Sequence, residues 1–178
     1  MFNQFKKTAL VAAAGLAFVA TPAFAQSVSG NPATAEGDAV VRILQPLVID
    51  NTGGTLDFGV LVKDGAVAGT NYSFPIGNAV GSTITCSASW ACSGATNPAA
   101  FTVTGAAAES VQLSVDASVA LDDGGQATFP TATLSLSDPT LVLTGGADPF
   151  QVGGTLTVDG GIGTGTYTGT FTVSAEYL

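Results

Sequence analysis

The chain has 178 residues, of which 46% are apolar and 10% charged, with 4 basic residues, 13 acidic residues and no His. Soluble domains typically carry about 25% charged residues, so a helical surface rich in Lys and Glu is excluded. Without His, Ser–His and Cys–His catalysis and His-built zinc sites are excluded too. The net charge of −9 argues against nucleic-acid binding, which needs Lys and Arg to displace phosphate counterions.

Residues 1–25 read as a secretory signal peptide. Lys6 and Lys7 precede an apolar run from Thr8 to Ala20, Pro22 breaks it, and Ala23-Phe24-Ala25 supplies small residues for cleavage. The run is too short to span a hydrocarbon core of about 30 Å, so no stable membrane insertion is expected. Cleavage after Ala25 would leave Arg42 and Lys63 against 13 acidic residues, a net charge of 2 − 13 = −11. The expected location is the periplasm, the outer cell surface or the extracellular medium.

Residues 26–43 form an N-terminal extension ending in an alternating segment. Ala33, Ala35, Gly37, Ala39, Val41 and Ile43 share one parity, and Thr34, Glu36, Asp38 and Arg42 the other, with Val40 the exception, which predicts a first strand. Residues 44–178 read as one β domain. Asp50 to Gly54 signals a turn, and Leu56 to Val62 a strand with Gly59 inside it as a bulge or bend. Residues 66–79 read as irregular. Cys86 and Cys92 predict a small-loop disulfide, since two thiolates alone cannot complete a zinc shell and an oxidising compartment favours the bond.

Further strands are predicted around Phe101–Val103, Val111–Val115, Val119–Leu121, Phe129–Leu136, Leu141–Leu143 and Leu156–Val158. Asp122-Asp123-Gly124-Gly125 predicts a hairpin turn, and Gly145-Gly146 and Gly153-Gly154 two more turns. Tyr167, Gly169, Phe171, Val173, Ala175 and Tyr177 alternate with Thr, Ser and Glu, predicting one long final strand. The spacing implies an all-β, immunoglobulin-like antiparallel β-sandwich of about eight to ten strands.

No catalytic residues, cofactor or metal site are expected. The adjacent carboxylates of Asp122 and Asp123 point apart in an extended chain and suit a solvated turn better than an acid–base dyad. Weak calcium binding there is the minor alternative. Tyr72, Phe74 and Trp90 could form a glycan-binding platform, although packing is the commoner fate of such aromatics. The two alternating terminal segments suit strand exchange between subunits, the first segment lying in the groove of the next copy. The other reading is that the first segment completes its own fold.

Leu56-Asp57-Phe58-Gly59, Phe101-Thr102-Val103-Thr104-Gly105, Gly153 to Val158, and Gly165 to Val173 with a terminal Tyr177 occur in one order. In that order they resemble the bacterial secreted domain-of-unknown-function family DUF4402, which in turn looks like chaperone–usher pilins and spore-coat-U-like secreted pilins. In pilins a penultimate Tyr and a Gly fourteen residues from the end mark the final, chaperone-binding strand; Tyr177 and Gly165 hold those places. The resemblance implies a donor strand of Ala35, Gly37, Ala39, Val41 and Ile43. It implies a chaperone-binding and groove strand of Gly165, Phe171, Val173, Ala175 and Tyr177. The implied function is a non-enzymatic, pilin-like fimbrial subunit, assembled by donor-strand exchange for adhesion or biofilm formation. Its implied partners are copies of itself, a periplasmic chaperone, and a surface glycan or protein receptor. The rival expectation is a self-complete, secreted, lectin-like binding module. An enzyme working with carboxylates alone is a third.

Overall fold

The structure is a computed structural model, and it describes residues 34–125 and 130–178. The expected signal peptide at residues 1–25 lies outside the described residues, as do Ala33 and Phe129. The chain divides into an N-terminal unit ending at Val41 and a body from Arg42 to Leu178. In the N-terminal unit, residues 34–41 form no strand and are exposed.

The body is all-β, with eleven strands: β1 Val48–Asn51, β2 Val60–Lys63, β3 Asn71–Ile76, β4 Trp90–Ser93, β5 Ala99–Thr104, β6 Ser110–Val115, β7 Ser118–Ala120, β8 Thr131–Leu136, β9 Thr140–Val142, β10 Asp148–Asp159 and β11 Val173–Tyr177. Every strand pair is antiparallel. The largest sheet runs β1-β5-β10-β8-β7, with β3 also paired to β10. A three-stranded sheet runs β11-β6-β9, and β2 and β4 form a two-stranded ribbon.

Strand β10 organises the body. Its first half pairs with β5, with Phe150 opposite Phe101, and its second half pairs with β3, with Leu156 opposite Phe74. Its other edge holds β8. The sequence places a turn at Gly153-Gly154, yet both lie inside this twelve-residue strand. A Cβ on Gly154 would stand 2.2 Å from the Thr133 carbonyl oxygen, and one on Gly153 would stand 2.6 Å from the Gly77 carbonyl. These glycines permit close backbone approach within a strand rather than a change of direction.

Residues 66–79, read as irregular, contain β3. Phe74 and Ile76 are buried and Tyr72 is half-buried, an alternation that the neighbouring Gly, Asn and Pro conceal in the sequence. Pro75 is tolerated because β3 pairs with β10 alone among the named strands, while the Pro75 carbonyl accepts the Thr85 N–H. The strand expected over Leu56–Val62 is observed as β2 alone; Gly59 takes φ +71° and lies just outside it, so it breaks the run rather than bulging within a strand.

The expected long final strand is shorter than its alternation. Only Val173–Tyr177 form β11; Thr168 makes an isolated bridge with Asp122. At Thr172 the N–H is taken by the Asp116 carboxylate, at 2.7 Å, instead of by a ladder carbonyl. The alternation at residues 33–43 likewise yields no strand over 34–43, where Val40, Val41 and Ile43 are 95%, 82% and 88% exposed.

Two apolar clusters fill the body. One gathers Phe58, Phe74, Ile76, Trp90, Leu156, Val158 and Ile162. The other joins Phe101, Val103, Phe150 and Val152 of β5 and β10 to Val111 and Leu113 of β6, with β11 side chains packed against it. Phe101 and Phe150 stack at 5.6 Å between centroids, and Phe171 meets Phe101 edge-on.

Candidate functional site

An open groove of about 980 Å³ lies beside β2. One wall is the segment 55–63 and the other is 162–169. Buried Phe58, Trp90, Leu156 and Val158 form its floor. A smaller recess continues it and shares Thr55, Leu56, Phe58, Leu121 and Gly169; Asn51, Phe101 and Phe171 line its far end.

Local sequence explains why the groove stays open. Gly163-Thr164-Gly165-Thr166 builds a wall from small side chains that cannot fill it. A Cβ on Gly169 would meet the Ala120 carbonyl at 2.6 Å, so this wall presses directly onto the β7 backbone. At the other end the Lys63 ammonium donates to the Ile162 carbonyl and ties the two walls together. Tyr167 donates from its hydroxyl to the Gly163 carbonyl at 3.1 Å. Burial and the neighbouring Asp123 carboxylate hold this phenol protonated above the ordinary tyrosine range. The Trp90 indole N–H is buried and has no acceptor among the described residues.

The expected site residues divide along the chain. Gly165 sits in the groove wall and Phe171 in the recess. Val173, Ala175 and Tyr177 are half-buried on β11 against the second cluster. β11 is an edge strand, bonded to β6 on one side. The Asp116 N–H donates to Thr172 and the Leu178 N–H to Ser110. These bonds set the parity: residues 172, 174, 176 and 178 face β6, leaving the N–H and C=O of Val173, Ala175 and Tyr177 on the open edge. The Tyr177 hydroxyl accepts the Ala106 N–H at 2.8 Å and donates to the Gln45 carbonyl at 2.7 Å.

Ala35, Gly37, Ala39 and Val41 belong to the exposed N-terminal unit, and Ile43 is exposed on the body. Arg42 is ion-paired with Glu109. Cys86 and Cys92 form the expected disulfide. Tyr72 and Phe74 pack edge-on against Trp90 at 5.8 and 5.3 Å, with Phe74 fully buried. They serve the core and present no flat aromatic platform. The Asp122 and Asp123 carboxylates accept the N–H groups of Gly124 and Gly125, closing the expected turn, in which Gly124 takes φ +83°. Sequence reasoning missed the groove itself and Lys63 at its end. The only local signal was the run of Gly and Thr at 163–169.

The domain of unknown function DUF4402 matches residues 47–177, and the chain belongs to this family. No curated protein and no solved structure matches it.

Proposed function

We propose that this chain is an exported, non-enzymatic structural subunit of pilin type, which assembles at the bacterial cell surface by exchanging a terminal strand between copies. Its two larger sheets then face one another as an immunoglobulin-like sandwich. That reading is supported by the cluster in which β5 and β10 side chains meet those of β6 and β11.

The observation that carries the subunit reading is the open apolar groove along the upstream half of the tail. It is accompanied by a terminal segment, 34–43, that is alternating, apolar on one parity and in no strand ladder among the described residues. An extended segment laid in the groove beside residues 162–169 would cover its apolar floor, at about 25 cal/mol per Å². The open β11 edge is a separate aggregation hazard, which a periplasmic chaperone would cover. Carboxylates alone, engaged in turns at Asp122 and Asp123, give no support to an enzyme reading.

Size-exclusion chromatography and electron microscopy of the exported chain test the proposal, against a variant lacking residues 26–41. The expected result is a ladder or fibres from the full chain, and folded monomers with an unchanged melting temperature from the deletion. Soluble monomers from the full chain at every concentration, with a deletion that unfolds, would instead identify a self-complete binding module.

A further inference from the structure

We propose that Lys63 recognises the acidic end of a second copy's N-terminal segment, Glu36 and Asp38, and so sets the direction in which that segment lies in the groove. The inference rests on the assembly reading above and names its partner contact.

Charge bookkeeping isolates the residue. Residues 34–178 hold two cations, Arg42 and Lys63, against 13 carboxylates. Arg42 is already paired with Glu109. Among the described residues Lys63 is in no ion pair; its one bond goes to the neutral Ile162 carbonyl. Lys63 therefore carries the cation still free to attract another copy of this acidic chain, and it stands at one end of the groove.

The segment has a matching polarity. Its acidic residues, Glu36 and Asp38, lie toward one end, and exposed Val40 and Val41 toward the other. Lys63 closes the wall formed by residues 55–63, and Phe101 and Phe171 line the recess that adjoins the groove at Thr55, Leu56 and Phe58. Residues 34–43 extended cover about 30 Å, and residues 55–63 about 26 Å. Val41 follows Glu36 by five positions, and Phe58 precedes Lys63 by five. With Glu36 at Lys63, Val41 therefore reaches Phe58 on the buried floor. The segment then runs antiparallel to residues 55–63. The Arg42–Glu109 pair roots the segment on its own body, so residues 34–41 are the part that reaches across.

The test is sedimentation velocity of the full exported chain over a concentration series, comparing wild type, K63M, K63E, E36K/D38K and the triple variant. An exposed ion pair is worth up to about fivefold in affinity, so K63M is expected to weaken association by about that factor. Charge reversal at either end, in K63E or E36K/D38K, should weaken it by about tenfold, and the triple variant should regain most of the loss. General repulsion between acidic copies predicts the opposite sign for E36K/D38K, since that variant lowers the net negative charge. Equal association of all five proteins, or stronger association of E36K/D38K, overturns the Lys63 contact and leaves strand exchange standing. A wild-type chain that stays monomeric throughout overturns both. Melting curves of K63M and K63E, expected to overlay one another because both lose the same bond from exposed Lys63 to the Ile162 carbonyl, separate the contact from a folding defect.

Discussion

Replacing Gly154 with Ala should damage the centre of the largest sheet. The new Cβ would lie 2.2 Å from the Thr133 carbonyl oxygen, whereas ordinary contact begins near 3.4 Å. The obstacle is backbone, so no side-chain rotation relieves it. β8 would have to retreat from β10 by about 1.2 Å, stretching adjacent ladder bonds from about 2.9 Å to about 4.1 Å, beyond hydrogen-bond range. One or two lost bonds at about 1 kcal/mol each, with about 1–3 kcal/mol of overpacking strain, give a destabilisation of about 3 kcal/mol. For a domain of this size that lowers the melting temperature by roughly 6–12 °C. Far-UV circular dichroism and the fluorescence of the single Trp report the transition. Gly37→Ala, where a Cβ would meet nothing within 4 Å, is the neutral control. A Gly154→Ala protein melting within about 2 °C of wild type would refute the close-approach argument and restore the turn reading.

Three other outcomes are expected. Replacing Cys86 and Cys92 together with Ser should cost about 2 kcal/mol in urea unfolding, from the loop-closure entropy of a short ring, and reductant should reproduce the loss in wild type. Tyr177→Phe removes the acceptor for the Ala106 N–H and the donor to Gln45, so chemical denaturation should show a loss of about 1–3 kcal/mol, with faster hydrogen exchange at Ala106. Tyr167 should ionise above the normal pH of about 10 in an ultraviolet titration, and Asp123→Asn should bring its midpoint down. Because its folded-state value is the raised one, its stabilising contribution is complete below about pH 10 and is lost as pH rises through the folded value.

The β class and most strand positions were legible because one-sided burial writes an alternation into the sequence. Val111 and Leu113 are buried while Gln112 and Ser114 are not, as β6 shows. Alternation alone could not say whether a partner exists within the chain. Residues 34–43 alternate like a strand and join no strand among the described residues, and residues 167–172 alternate yet make only an isolated bridge at Thr168, with the Thr172 N–H taken by the Asp116 carboxylate. Gly153-Gly154 was misread because a glycine required by a neighbouring backbone looks the same in sequence as one required by a turn. β3 was missed because Pro75 and its polar neighbours obscure a half-buried edge strand. The groove was illegible for a different reason. It is defined by what small residues at 163–169 fail to fill, and its walls come from segments about a hundred positions apart.

One groove wall hangs from the slenderest part of the body. β2 pairs with β4 alone, and a two-stranded ribbon is marginal by itself. Leu61 lies opposite Cys92, which is bonded to Cys86, and β4 begins at buried Trp90. The cystine and the indole thus act as rivets on a hinged plate. On the timescale of hydrogen exchange this plate should swing before the six-stranded sheet parts. Reducing the Cys86–Cys92 bond would remove one of these rivets and leave the mouth of the opening slacker.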